Sequence, residues 1–113
     1  MIFLNKQKET VRVKDVIGNI AADDDEKGDK IYSEVKSICI NEKLEGCGID
    51  IDFSGLEIIN TAFLNNAIGK LFRKGNGISL DNIRIVNYPS ELKELLVDVI
   101  EMAILKDGEI ENE

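Results

Sequence analysis

Residues 49–53 read Ile, Asp, Ile, Asp, Phe, and this strict alternation constrains the fold more than any other segment of the chain. Successive side chains of a β-strand point to opposite faces, so the alternation predicts a strand whose two faces meet different surroundings. Ser54 and Gly55 end the strand. Short runs rich in β-branched residues predict further strands at residues 2–4, 11–13 and 83–86.

Three amphipathic helices are predicted between and after these strands. The first begins near Lys30 with Asp29 as its cap, and the second covers residues 61–72 with Asn60 or Thr61 as its cap. Ser90 is the expected cap of the third. The residues on the apolar faces are Ile31, Val35, Ile38 and Cys39, then Phe63, Leu64, Ala67, Ile68, Leu71 and Phe72, then Leu92, Leu95, Leu96, Val99, Ile100, Ala103 and Ile104.

Strands that alternate with helices at this spacing predict an α/β fold with right-handed crossovers and a largely parallel sheet. An opening hairpin of residues 2–4 and 11–13 would add an antiparallel edge. With 113 residues, the chain is expected to form a single domain over 1–113. That domain has a mixed, mostly parallel sheet of about four to five strands packed by three main helices. The acidic tail, residues 107–113, is expected to fray.

Histidine is absent, which excludes Ser/His/Asp and Cys/His nucleophile arrangements. The net charge of −8 disfavours nucleic acid and anionic membranes, because such a surface repels phosphates. No apolar run is long enough to span a bilayer, and the start of the chain lacks the pattern of a secretory signal. Cys39 and Cys47 do not make a disulfide framework. We therefore expect a cytoplasmic protein.

Two acidic segments are candidate metal sites. Residues 23–34 have the calcium-loop spacing, but Lys27 and Lys30 stand where an oxygen ligand and an apolar residue belong, so we interpret residues 23–28 as a solvated loop. Asp50 and Asp52 share one face of the predicted strand and, with Asp25, leave open a small metal- or nucleotide-dependent enzyme. Neither a histidine nor a phosphate-binding glycine loop supports that alternative, so no cofactor, metal or catalytic residue is expected.

The segment 52–72 carries the most specific pattern. An aspartate strand leads through Ser54-Gly55-Leu56 into Asn60-Thr61-Ala62-Phe63-Leu64 and a long amphipathic helix. This pattern resembles the bacterial STAS-like domain family of unknown function, a relative of the anti-sigma factor antagonists. The resemblance extends over about residues 11–104 and includes the glycine and aspartate at positions 28 and 29.

The resemblance implies a regulatory domain that binds another protein rather than an enzyme. In the antagonist relatives, a serine at the start of the helix after this strand is phosphorylated by a partner of the histidine-kinase-like ATPase class. Here Ala62 stands at the acceptor position and has no hydroxyl, while Thr61 carries one a residue earlier. Thr61 is therefore a candidate phosphoacceptor, although its residue type favours a role as helix cap.

The expected partner-binding surface lies at the start of this second helix and along it. Its residues are Asn60, Thr61, Ala62, Phe63, Asn65, Asn66 and Lys70. If Asn66 belongs to such a surface, Asn66→Arg should weaken binding and leave thermal stability nearly unchanged. An acidic inhibitor protein of a mobile element remains a further alternative. The sequence leaves the oligomeric state and the identity of the partner open.

Overall fold

The computed structural model describes residues 9–42, 48–73 and 80–111. It shows the predicted α/β class, with strands and helices alternating along the chain. Short 3₁₀ helices lie at Gly69–Phe72, Leu80–Asn82 and Ser90–Leu92. The strands and α-helices are β1 Glu9–Arg12, α1 Val13–Ile17, β2 Ala21–Ala22, α2 Asp25–Glu42, β3 Ile49–Asp52, β4 Ile58–Ile59, α3 Thr61–Ala67, β5 Ile83–Val86 and α4 Lys93–Glu111.

The strands form two parallel sheets rather than one. β3 is the central strand of a three-stranded sheet in the order β1-β3-β5, and β2 pairs with β4 in a separate two-stranded sheet. In the larger sheet Asp52 is opposite Arg12 on one side and Val86 on the other. All pairings between described strands are parallel. The first strand of the predicted hairpin, residues 2–4, lies outside the described residues.

The core lies between the larger sheet and the helices. Ile49 and Ile51 on β3 are fully buried, as expected for a central strand of a parallel sheet. Phe53 follows β3 and meets the Phe63 ring edge-on, with centroids 6.4 Å apart. The other apolar core residues are Val11, Val13, Ile17, Ala22, Ile31, Val35, Ile59, Leu64, Ala67, Ile68, Leu71 and Val99.

Near the start of the described chain, the predicted strand over residues 11–13 begins two residues too late and ends one residue too late, because β1 is Glu9–Arg12. The strand β1 ends at Arg12, and Val13 begins the five-residue helix α1. Val13 and Ile17 lie one helical turn apart and are both buried, which explains how so short a helix is stabilised. It ends at Gly18, whose φ of 67° is a left-handed conformation that glycine adopts without strain.

The first predicted helix, α2 in the structure, begins earlier than the sequence indicated. α2 starts at Asp25, and the Asp24 carboxylate accepts a hydrogen bond of 2.8 Å from the backbone N–H of Lys27. Asp24 is thus the capping side chain, and the prediction that Asp29 caps a helix near Lys30 was wrong. The acidic run looked like a loop because aspartates favour loops as well as the first turn of a helix.

The second predicted helix, over residues 61–72, is α3 in the structure and is shorter than predicted. α3 ends at Ala67, and the chain continues after Ile68 as the 3₁₀ helix Gly69–Phe72. Glycine at position 69 has low helix propensity, and it lies where α4 packs closely. A Cβ atom at this position would be 3.3 Å from Val99 Cγ1. The predicted apolar face is nevertheless buried through Leu71.

The last helix is longer than predicted. α4 runs from Lys93 to Glu111, so its backbone includes five residues of the segment 107–113. Ser90 is not its cap: it opens a separate 3₁₀ turn that follows Pro89 and has no side-chain cap. In the part of the chain that the structure describes, no helix combines the length and the apolar character needed to cross a membrane.

The crossing of α2 and α3 depends on Gly28. A Cβ atom at this position would lie 2.5 Å from the backbone oxygen of Phe63, 2.9 Å from Asn66 Cβ and 3.0 Å from the backbone nitrogen of Ala67. Real Cβ atoms do not approach backbone atoms so closely, so any larger residue would push the helices apart.

We therefore expect Gly28→Ala to lower the free energy of unfolding by about 1–3 kcal/mol, although alanine is the better helix former. Urea denaturation measures this change. Ser33→Ala, at an exposed position of the same helix, is the matched control and should be neutral or slightly stabilising. A stabilised Gly28→Ala variant would show that the helices are not in close contact here.

Candidate functional site

The start of α3 is held in place by Asn60. Its Oδ1 accepts a hydrogen bond of 3.0 Å from the backbone N–H of Phe63, which makes Asn60 the N-cap. Its Nδ2 donates to the backbone oxygen of Asp23 at 2.9 Å, just before α2 begins. Of the two predicted caps, Asn60 is correct and Thr61 is wrong, because Thr61 is the first residue of the helix proper.

The predicted surface divides into exposed and buried residues. Thr61, Ala62 and Asn65 are exposed, whereas Asn60 is half-buried. Phe63 is fully buried in the core, so its side chain is not part of the exposed surface. Phe63 instead packs against Phe53 in the core and so fixes the position of α3 and of its exposed residues.

Asn66 and Lys70 connect α3 and the following 3₁₀ helix to α2. Asn66 Nδ2 donates to the backbone oxygen of Asp25 at 3.2 Å and to Asp29 Oδ1 at 3.0 Å. Lys70 Nζ lies 2.7 Å from the same Asp29 oxygen and 5.6 Å from the centre of the Tyr32 ring. Asn66→Arg would remove contacts between the helices, so the expectation that it leaves stability unchanged does not fit this geometry.

A second polar cluster surrounds Asp52 at the carboxyl end of β3. Its carboxylate accepts hydrogen bonds from the Ser54 backbone N–H at 2.9 Å and from Asn87 Nδ2 at 3.0 Å, and Arg12 Nε lies 3.5 Å away. Burial, which leaves Asp52 only 7% exposed, opposes ionisation. The hydrogen bonds outweigh this effect, so the pKa of Asp52 is lowered.

The sequence pattern did not identify Asn87 and Tyr88 as members of this region. Asn87 has a φ of 58°, a left-handed conformation in which asparagine is enriched. Tyr88 packs edge-on against Phe53 with centroids 5.0 Å apart, and its hydroxyl donates to the backbone oxygen of Leu92. An asparagine directly after a strand was the available signal, because such residues favour turns.

Asp50 has a different set of neighbours from Asp52. Its two carboxylate oxygens lie 3.1 Å from Arg84 Nε and 3.3 Å from Arg84 Nη2, a bidentate pair across β3 and β5 that raises the pKa of Arg84. Asp50 and Asp52, the candidate acid–base or metal pair, thus both accept hydrogen bonds from arginine side chains of the protein. Within residues 9–42, 48–73 and 80–111, no three potential acidic, cysteine or histidine ligands converge.

The acidic segment before α2 has a basic residue at its centre. Lys27 Nζ lies 2.8 Å from Asp23 Oδ1, 3.9 Å from Asp24 Oδ2 and 3.1 Å from the backbone oxygen of Ala21. The hydrogen bond between the Asp23 and Lys27 side chains lowers the pKa of Asp23 and raises the pKa of Lys27. The lysine that argued against a calcium loop in the sequence therefore contacts the acidic side chains directly.

Comparisons with known proteins bear on the site that this geometry outlines. The profile of the family described as STAS-like domain of unknown function (DUF4325) matches residues 27–90. The match begins near the start of α2, includes β3 and the whole of α3, and ends after β5. Neither a curated protein nor a solved structure matches the chain.

The two hydrogen bonds of Asn60 can be separated by substitution. Asn60→Ala removes both, and we expect it to lower the free energy of unfolding by about 1–2 kcal/mol. Asn60→Ser keeps a capping oxygen but lacks the amide donor to Asp23, so it should cost about half as much. Urea denaturation of both variants measures the difference, and equal losses would contradict a stabilising role for the cap.

Asp52 makes stability depend on pH in a defined direction. Because its folded-state pKa is lowered, the ionised carboxylate stabilises the fold above about pH 4, and this contribution is lost as pH falls through the lowered pKa. Asp52→Asn should lower the free energy of unfolding by about 1–3 kcal/mol at neutral pH. Its deficit relative to the unsubstituted protein should shrink in acid, since the protonated carboxyl resembles the amide.

Urea denaturation at a series of pH values from neutral to strongly acidic tests this expectation. Asp98→Asn, at an exposed position on α4, is the matched control and should change the free energy of unfolding by less than about 0.5 kcal/mol. A deficit of Asp52→Asn that stays constant down to strongly acidic pH would show that its charge does not contribute to stability.

Proposed function

Because the chain belongs to the family of STAS-like domains of unknown function, we propose that it is a regulatory module that binds another protein and is not an enzyme. The binding surface is the exposed start of α3, formed by Thr61, Ala62 and Asn65. Asn60, Asn66 and Lys70 support this surface through their contacts with the start of α2. We place its action in the cytoplasm, as expected from the sequence.

One observation carries this proposal. Thr61, Ala62 and Asn65 are exposed, while the backbone beneath them is held by the Asn60 cap and by the buried side chain of Phe63. A surface that is already ordered loses little conformational freedom when a partner binds, so more of the contact energy appears as affinity. Asp50 is paired with Arg84, and Asp52 accepts a hydrogen bond from Asn87. These contacts within the protein support a role that does not use the two carboxylates for chemistry.

The partner that we propose is an ATPase of the histidine-kinase-like class, which the resemblance to the antagonist relatives implies. A net charge of −8 favours a partner that presents a basic surface. If that partner transfers a phosphoryl group to α3, Thr61 is the acceptor, because Ala62 has no hydroxyl. The Thr61 side chain is exposed, and the capping position is occupied by Asn60.

Capture from the native host tests the surface. The full chain and its Asn65→Arg and Ser33→Arg variants are affinity-tagged, cross-linked in cells and compared by quantitative mass spectrometry. Asn65 lies on the proposed surface, whereas Ser33 is an exposed residue of α2 that serves as the matched control. An ATPase of the proposed class should be recovered with the unsubstituted protein and with Ser33→Arg, and its recovery should fall at least about tenfold with Asn65→Arg.

Equal recovery of that ATPase with all three proteins would remove the start of α3 as the binding surface. A thermal-shift measurement addresses the non-enzymatic part of the proposal. If Mg²⁺ or Mn²⁺ together with ATP or GTP raised the Tm by several degrees, the chain would bind a metal–nucleotide complex, contrary to the proposal.

A further inference from the structure

A groove of about 420 Å³ lies between α3 with its following 3₁₀ helix and α4. It begins at the proposed binding surface, because Thr61 and Asn65 belong to its lining. The other lining residues are Asn66, Gly69 and Arg73 on the α3 side, and Asp98, Val99, Met102 and Ala103 on the α4 side.

Small residues account for the groove. Gly69 and Ala103 are buried where the two walls meet, and a Cβ atom at position 69 would lie 3.3 Å from Val99 Cγ1 and 3.9 Å from Ala103 Cβ. Larger side chains at either position would fill the space between the helices. The floor of the groove is therefore apolar, and its backbone walls are close together.

The α4 wall continues as an exposed apolar strip. Met102 is 52% exposed and Leu105 is 59% exposed, although both are large apolar side chains. Together with Asp98 they stand at positions i, i+4 and i+7 of the helix, and so lie on one side of it. Exposed apolar residues in this arrangement are typical of a surface that receives the apolar face of another helix.

The charges on α4 indicate which charged residues a bound helix would have. Lys93 is the first residue of α4, and the exposed charged residues that follow it up to Met102 are all acidic: they are Glu94, Asp98 and Glu101. Arg73 adds one positive charge on the α3 side of the groove. A second copy of the chain would bring two such acidic rows together, which costs energy. A helix with lysine or arginine beside its apolar residues would place opposite charges along this row.

We propose that the groove binds an amphipathic helix of the partner protein whose apolar residues are flanked by basic ones. An apolar side chain of that helix enters the groove over Val99 and Ala103, and its basic residues pair with Asp98 and Glu101. This inference rests on the proposed function, since Thr61 and Asn65 belong to both surfaces. It adds the chemistry of the segment that is recognised.

A titration followed by NMR tests the occupant. The ¹⁵N-labelled full chain is mixed with an amphipathic helical peptide of leucine and lysine, or with a peptide in which glutamate replaces every lysine. The lysine peptide should shift resonances of α3 and α4 around the groove, and the glutamate peptide should bind at least about tenfold more weakly. Met102→Glu and Asp98→Lys should each weaken the lysine peptide about tenfold.

Glu34→Lys is the matched control for charge, because it makes the same charge change as Asp98→Lys at an exposed position of α2 away from the groove. It should alter the affinity by no more than about twofold. Equal effects of Glu34→Lys and Asp98→Lys, or shifts spread evenly over the protein, would reduce the binding to general charge attraction and overturn the proposal.

Two further results would also overturn it. If both peptides bound equally well, the acidic row would have no role. If sedimentation equilibrium showed a dimer that Met102→Glu dissociates, the groove would be occupied by a second copy. Failure of the peptide test together with loss of the ATPase in Asn65→Arg would leave the proposed function standing and remove only the basic helix as its means of recognition.

Discussion

The architecture around the candidate site depends on the close contact between α2 and α3. Gly28 lets the two helices approach until only a hydrogen atom fits between its Cα atom and the backbone of Phe63 and Ala67. At that separation Asn60 and Asn66 reach backbone oxygens at the start of α2. A wider spacing would remove these hydrogen bonds of the half-buried Asn60 and Asn66, so steric fit and hydrogen bonding reinforce each other.

The Asp52 cluster joins three segments of the chain at the carboxyl end of the larger sheet. One carboxylate contacts groups from β1, from the turn after β3 and from the residue after β5. Phe53, the next residue, then packs against Phe63 of α3 and Tyr88. The strand and the helix that carries the proposed surface are in this way joined through adjacent residues, one polar and one aromatic.

The family match and the geometry of the surface both support the proposed binding function. The match to STAS-like domains covers the segment in which Gly28, Asp52 and the start of α3 lie. Asn60 caps the helix, which leaves the Thr61 hydroxyl at an exposed position. The groove beside it adds an apolar floor and an acidic row on α4, a helix that lies entirely after the matched segment. These features support the proposal that this surface binds another protein.

The sequence alone determined the α/β class, the strand at Ile49–Asp52 and most of the buried apolar faces, and it narrowed the cap of α3 to Asn60 or Thr61, because periodicity and capping are local properties. Tertiary structure decided the rest. It split the strands into two sheets, moved the start of α2 to Asp25 and buried Phe63 beneath the exposed surface. It also gave Asn66 and Asp52 their partners, which come from residues far away in the chain and which no local pattern specifies.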